Sequence, residues 1–382
     1  MRITHLQVEN FRNLKSLDIV LSPILNGFWG ANGQGKTNIL ESVFAATRLK
    51  SFRPYCSKKD WYPKVIHNSD SRGVTKVEVN FLDRSGYSHK LLLKCEDQQR
   101  WQSFWNEKKI SASTLVEKIA ILSFSPDDHS LVRGTPEERR HFVDSLLSDI
   151  APGYYEILLR YQRALKQRNE ILKQYQDVRE KVFPELSTWT NLLAQEAADL
   201  SMIRREYWPS FKSKFLETSH QLFGDEFPKL EIKFLHDLST VDNTWTKERY
   251  LEHIRADWEK DLATGWTHRG PHRDDLYLEL EEGLAAKTHA SQSQARLLAL
   301  ALKWTHALCV KDQRSETPIF LIDDLSSELD ASHRKLLLEL IRSCDGQVII
   351  SGTEESLVDS NHFEKYTYWR VEKGLLLERK TY

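Results

Sequence analysis

Gly30-Ala31-Asn32-Gly33-Gln34-Gly35-Lys36-Thr37 decides the fold. The string fits G-x-x-x-x-G-K-[ST] and lies between an apolar segment and a helix-like run from Asn38 to Ala46, the setting that a phosphate-binding loop requires. Glycines let backbone N–H groups converge on phosphate oxygens at a helix N-terminus. In that reading Lys36 reaches the β- and γ-phosphates, the Thr37 hydroxyl ligates Mg²⁺, and Gly30 through Asn38 form the cradle. A glycine-rich surface turn that happens to precede a lysine would need neither the strand before it nor the helix after it.

Working outward, Ile319-Phe320-Leu321-Ile322-Asp323-Asp324 places two carboxylates at the exit of an apolar strand, the Walker B layout. Asp323 would hold Mg²⁺, and Asp324 would orient or deprotonate the attacking water. Alone, the same string could be a core strand leaving into a solvated acidic loop; paired with the phosphate loop, it reads as catalytic. Between the two lies His289-Ala290-Ser291-Gln292-Ser293-Gln294-Ala295-Arg296, ahead of an apolar helix. It resembles the ABC signature, in which a serine and a helix N-terminus reach the γ-phosphate held by the other subunit, with Ser291 and Gln294 as the contacts. A plain serine N-cap fits the same residues, and both readings stay open. Ser327-Glu328-Leu329-Asp330 resembles the D-loop, with Asp330 at the facing nucleotide. The order of motifs fits ABC-type heads and not the RecA-like or GTPase branches.

Some positions depart from the pattern. Ser293 stands where the signature normally carries glycine, Ala295 where a larger polar residue is common, and Trp29 is bulky for the position before the loop. At the switch position after the last core strand the string Ser351-Gly352-Thr353-Glu354 offers hydroxyls and a carboxylate where a histidine is usual. With Asp324 one methylene shorter than a glutamate, slow turnover is expected.

The rest of the chain sets bounds. Its 382 residues, 40% hydrophobic and 29% charged, suit a globular protein of two domains. A net charge of -1 means that a DNA-binding surface must be a local patch. Cys56, Cys95, Cys309 and Cys344 are too scattered for a disulfide framework or a zinc ribbon, which points to a reducing cytosol. No apolar run approaches about 18 residues, so no membrane span or signal peptide is expected. Alternation over residues 1–25 suggests an antiparallel pair of strands, residues 73–123 read as a second strand-rich stretch belonging to the nucleotide lobe, and spacings of three and four over 135–265 suggest helices. The expected plan is an α/β nucleotide lobe from residues 1–123 and 266–382, with a mostly helical lobe, 124–265, inserted. Arg160, Arg163, Lys166, Arg168 and Lys173 read as a basic stripe, and Arg53, Lys58 and Lys59 as a cluster, both able to neutralise DNA phosphates; a solvated charged face is the plain alternative for the stripe.

Further strings narrow the resemblance: Phe11-Arg12-Asn13-Leu14, Ser51-Phe52-Arg53, Phe124-Ser125-Pro126-Asp127-Asp128, Gly134-Thr135-Pro136-Glu137-Glu138-Arg139-Arg140 and, most specific, Gly270-Pro271-His272-Arg273-Asp274-Asp275. On these the chain resembles the RecF family of bacterial DNA-gap repair proteins over nearly its full length. The resemblance implies an ABC-type ATPase head, related to SMC heads but without their long coiled coil. It also implies weak, DNA-stimulated ATP hydrolysis with Mg²⁺, ATP-dependent homodimerisation on gapped or junction DNA without sequence specificity, and cooperation with RecO and RecR in loading RecA. It further implies a link to the SOS response, a cytoplasmic, nucleoid-associated setting, and an Arg53 near both nucleotide and DNA. A transporter-type ATPase head and a nucleotide-binding scaffold with little hydrolysis are the competing readings.

Overall fold

The computed structural model describes residues 1–54, 56–63, 73–96, 100–174, 184–224, 229–237, 246–324, 331–343, 345–354 and 366–381. The chain divides into two compact units, one of residues 1–128 and 306–382, the other of residues 129–305.

The first unit begins with a hairpin of β1 (Arg2–Phe11) and β2 (Leu14–Val20). Ile3, Leu6, Val8 and Phe11 of β1 are buried; Leu6 and Val8 keep the two-residue alternation, and a register shift between Ile3 and His5 breaks it at the start of the strand. β3 (Leu25–Trp29) is buried at every position and runs through the phosphate loop into α1 (Lys36–Arg48). β4 (Thr75–Leu82), β5 (Ser88–Cys95), β6 (Gln102–Trp105) and β7 (Lys108–Lys109) extend the hairpin into a six-stranded sheet in the order β2-β1-β4-β5-β6-β7. After α2 (Ala112–Lys118), β8 (Ile121–Phe124) joins a different sheet.

The second unit holds α3 (Ser130–Arg133), α4 (Pro136–Ile150), α5 (Tyr154–Gln174) and α6 (Pro184–Phe223), then β9 (Glu231–Leu235), α7 (Lys247–Ala256) and α8 (Trp258–Thr264). β10 (Asp275–Leu280) pairs antiparallel with β9 and with β11 (Leu284–Ala285), and α9 (Ala286–His289) leads to α10 (Gln292–Arg314). α5 and α6 pack together, and among the described residues α5 runs for 21 residues, short of an extended coiled coil.

The second boundary therefore differs from the expected one: residues 266–305 belong to the inserted unit, and the first boundary falls at 128/129. Long-range polar bonds explain the difference. Arg204 of α6 is 3% exposed and donates to Asp144 and Asp274, both at 2.7 Å, and to the Pro271 carbonyl at 2.9 Å. Arg139 forms a bidentate pair with Asp275, 2.8 Å on each side. The Tyr161 hydroxyl meets His272 Nδ1 at 2.5 Å, while the Thr267 carbonyl lies 3.0 Å from Nε2. The ring thus accepts from the tyrosine and donates to the carbonyl, and burial lowers its pKa to about 4.

Returning to the first unit, β12 (Ile319–Ile322), β13 (Val348–Gly352), β14 (Tyr366–Glu372) and β15 (Leu375–Thr381) complete a sheet in the order β15-β14-β3-β13-β12-β8, parallel except at the β15 edge. The unbroken burial of β3, β12 and β13 fits strands covered on both faces. One core spans both sheets: Ile39, Leu40 and Val43 of α1 join Val8 and Leu91 from one side and Phe28, Leu321 and Ile349 from the other. At roughly 1.5–3 kcal/mol for each large apolar side chain, this packing fixes the helix that starts at the phosphate loop.

Trp29 has a packing explanation. A Cβ on Gly27 would stand 2.4 Å from the Tyr368 ring, and one on Gly352 would stand 2.1 Å from Trp29 itself. Two glycines thus vacate the room that the indole fills, edge-on to Tyr368 at 5.7 Å.

Candidate nucleotide-binding site

Three glycines give the phosphate loop its path. Gly30 has φ +153, and a Cβ there would lie 2.3 Å from the Val371 carbonyl oxygen of β14. Gly35 has φ +105 and would strike the Asn13 amide, whereas Gly33, at φ +78, has nothing within 4 Å and borders open space. α1 starts with left-handed Gly35 as its N-cap, without a side-chain cap and without an acidic residue in its first turn. Its first N–H groups are left for an anion, and the helix dipole favours one there.

The loop is stitched from both sides. The Gln34 carbonyl accepts from Gly374 N at 2.7 Å and Asn13 Nδ2 at 3.4 Å, and Gln34 Oε1 accepts from Lys373 N at 2.7 Å. Lys36 Nζ donates to the carbonyls of Gly30 at 2.5 Å and Ala31 at 2.9 Å. Its burial lowers the ammonium pKa, which Asp324 and Asp323 oppose. A cavity of about 660 Å³, bounded by Trp29, Gly30, Gln34, Thr353, Arg370 and Lys373, opens beside the loop.

At the end of β12 the two carboxylates are tied to the neighbouring parallel strand. The Ser351 hydroxyl donates to Asp323 Oδ1 at 2.7 Å and accepts from Asp324 N at 3.0 Å. Asp323 N is held by the Phe124 carbonyl at 2.8 Å. Asp324 has φ 46, a left-handed backbone that costs a non-glycine residue of order 1–3 kcal/mol and marks functional turns. Burial raises the Asp323 pKa even though the Ser351 and Thr37 hydroxyls bond to it and Arg53 is near. Thr37 and Asp323 thus offer two hard oxygen donors side by side, and the buried carboxylate lacks full compensation. Those are the features that Mg²⁺ requires from the protein, the other ligands being phosphate and water.

Glu41, fully buried in α1, organises a second cluster. Its Oε1 accepts from Arg12 at 2.6 Å and from the Ser51 hydroxyl at 2.7 Å, and Arg53 Nε lies 3.4 Å from Oε2. Arg53 also donates to Asn38 Oδ1 at 2.6 Å, and Asn38 donates to Asn13 at 2.6 Å. The sequence points to Arg53 as a DNA contact; the fold ties it into the nucleotide end of the unit, with 26% of its side chain exposed.

In the second unit, Ser291 Oγ accepts from Gln294 N at 3.1 Å and Gln294 Oε1 accepts from Ser291 N at 2.8 Å, a reciprocal N-terminal box on α10. Both side chains thus do the work of the plain N-cap. Ala295 is fully buried, so a larger polar side chain has no room, and Arg133 donates to the carbonyl of Ala290 just before the box. Asp330 and the rest of Ser327–Asp330 lie outside the described residues.

Residues 2–372 match the family described as RecF/RecN/SMC N terminal domain. The DNA replication and repair protein RecF of Shewanella baltica is 30% identical over 98% of this chain and 98% of its own length. The protein of the same name from Acetivibrio thermocellus is 32% identical over 98% and 99%. The chain belongs to the RecF family. Among solved structures, the recombination mediator protein RecF of the RecFOR pathway, in its RecF-ATPrS form, superimposes with a TM-score of 0.85 at 25% identity, covering 98% of this chain and 97% of that one. The SmcHead bound to the C-winged helix domain of ScpA, at 13% identity, gives 0.56 over 100% and 98% and shares the fold alone. The architecture is thus an α/β head of the ABC and SMC type.

One member of the basic stripe on α5, Arg168, needs correction; Arg160, Arg163 and Lys166 stay at the surface. Arg168 falls on the same face as Tyr161, Ala164 and Leu172 and is wholly buried, donating to Asp261 at 2.8 Å, Thr267 at 2.6 Å and Thr190 at 3.1 Å. Arg160 is paired with Glu196 at 2.8 Å, Lys166 with Glu170 at 3.8 Å, and Lys173 lies 3.6 Å over the Trp266 ring. Arg163 is exposed. The site residues missing from the sequence reading are Asn13, Glu41 and the bridging role of Ser351. Only the family string around Asn13 and the hydroxyl at 351 gave a signal, because each acts across strands or elements distant in sequence.

Proposed function

We propose that the chain binds ATP with Mg²⁺ at the phosphate loop, pairs with a second copy on gapped or junction DNA, and hydrolyses the nucleotide slowly, acting with RecO- and RecR-like mediators to load RecA. The observation that carries the reading is the uncapped N-terminus of α1, with Lys36 poised on the loop and the Asp323–Ser351–Asp324 bridge present in the same unit. Lys36 would leave two loop carbonyls for the β- and γ-phosphates, while Thr37 and Asp323 hold the cation. Asp324, on its constrained backbone, would orient the water whose oxygen attacks the γ-phosphorus as the bond to the bridging oxygen breaks, giving ADP and phosphate. Family membership supports the DNA-repair role, since the relatives are named for DNA replication and repair and a solved neighbour is a recombination mediator.

Gel filtration of the full chain with and without ATP and a gapped duplex, with phosphate release followed in parallel, tests this. Wild type should dimerise and retain DNA with ATP, at a turnover below roughly 10 s⁻¹. Lys36→Arg should lose hydrolysis, and Asp324→Asn should lose hydrolysis while keeping the dimer. Nucleotide binding without phosphate release would favour the scaffold, and indifference to DNA would favour a transporter-type head.

A further inference from the structure

The strings Gly134–Arg140 and Gly270–Asp275 take no part in the nucleotide site, yet hydrogen bonds lead from both of them to the start of α10. Asp275 opens β10 and holds Arg139 of α4 through two bonds of 2.8 Å. The same guanidinium donates from Nη1 to the Gly134 carbonyl at 2.9 Å, while Arg140 Nη1 donates to the Asp274 carbonyl at 2.8 Å. Gly134 makes the corner between α3 and α4. Its N–H bonds to the Ser130 carbonyl at 2.7 Å, and a Cβ there would stand 2.1 Å from the Glu138 carboxylate and 2.5 Å from that carbonyl oxygen, so the corner closes only around a glycine. Arg133, the last residue of α3, leaves this corner to donate to the carbonyl of Ala290.

Ala290 needs that donor. α9 is a single turn, and Ala290 leaves it with φ -63 and ψ 137, an extended conformation that interrupts the helical bonding just ahead of α10. The N–H four residues on, that of Gln294, is taken by Ser291 Oγ at 3.1 Å. Ala290 is 2% exposed, so its carbonyl is paired by a side chain or left unsatisfied. Ser291, Gln292 and Ser293 follow it and are exposed, whereas Ala295 is fully buried. The positive end of a 23-residue helix is thus presented outward from an anchored base.

We propose that Arg133, braced by Arg139 and Asp275, is a positioning residue that aims the N-terminus of α10 at the triphosphate of a second copy of the chain, an inference that rests on the pairing put forward above. Arg133 acts through the Ala290 carbonyl, whose place fixes where Ser291 starts the helix. Donors that miss a developing charge by a fraction of an ångström lose much of their effect on rate.

Arg133 is only partly buried, so Arg133→Gln can be compared with wild type in the full chain. Hydrogen exchange without nucleotide reads the clamp directly: amides of residues 287–296 should exchange faster in the variant, and those of residues 300–310 should keep their protection. Phosphate release with ATP and a gapped duplex should fall about tenfold, the effect of losing one charge-assisted hydrogen bond, and Arg133→Lys should recover part. Affinity of the chain for a fluorescent ATP analogue should stay at the wild-type level. Mixing tests action on the second copy. Asp324→Asn does not hydrolyse but keeps its own α10 intact, so in a mixed pair the phosphate loop of the Arg133→Gln chain meets an intact helix, and equal amounts of the two variants should release phosphate faster than either alone. A mixture no faster than the average of its two components overturns the proposal, as does an Arg133→Gln chain with wild-type exchange at residues 287–296. Failure of wild type to pair in the presence of ATP would sink the pairing, and the aim of the helix with it, whereas unchanged exchange would sink the Arg133 clamp alone.

Discussion

Replacing Ser351 by alanine removes one oxygen from the first unit and, with it, the hydroxyl bridge between Asp323 and Asp324. The residue is fully buried, so water does not take the place of the lost hydroxyl. The 2.7 Å bond to Asp323 is charge-assisted and is worth about 1.5–3 kcal/mol; Asp324 N, bonded at 3.0 Å, is left without that acceptor. If this energy serves mainly to aim the two carboxylates, the loss appears in kcat, at 1.4 kcal/mol per factor of ten, as roughly a 10- to 150-fold fall. Affinity for nucleotide, set by the loop and Lys36, should move far less. The assay is steady-state phosphate release with fluorescent-nucleotide titration beside it, on wild type, Ser351→Ala and Ser351→Thr, the last keeping the hydroxyl. Turnover of Ser351→Ala within twofold of wild type would refute the reasoning, as would a loss of binding that matches the loss of rate.

Two further outcomes bear on the inserted unit. Arg168→Gln breaks a pair with 0% and 1% exposure and should cost about 3–5 kcal/mol in urea unfolding, with DNA affinity per folded molecule unchanged. Were it to weaken DNA binding without loss of stability, the buried assignment would be wrong. His272, with its pKa lowered from 6.5 to about 4, binds a proton more readily unfolded than folded. Its contribution to stability is therefore complete above pH 6.5 and declines as pH falls toward 4, about 2 kcal/mol being lost by pH 5. Urea midpoints from pH 7.5 to 5 should show this slope, and His272→Gln should flatten it.

Sequence and structure agree where the information is local. The phosphate loop and the end of β12 are contiguous strings whose chemistry follows from their spacing. Ser351 is different: its role exists only because β12 and β13 pair in parallel with Ile322 opposite Ile350, which brings residue 351 level with the carboxylates. The division at 305/306 was hidden for a similar reason, since Arg204 and Asp274 meet across 70 residues. Arg168 is the opposite case. Its spacing from Tyr161, Ala164 and Leu172 places it on the apolar face of α5, and a position on that face outweighs a charge that Asp261 neutralises inside the unit. Trp29 could not be interpreted without knowing that Gly27, Gly352 and Tyr368 surround it.

Because the backbone of Gln34 is pinned by Gly374 from one hairpin and by Asn13 from another, the cradle is finished before any guest arrives. A guest that meets a ready-made receptacle gives up little on entry to freezing loose chain. The favourable energy of its arrival then remains for events beyond the receptacle, and mutations in either hairpin turn should reduce affinity without touching a single atom that meets the phosphates.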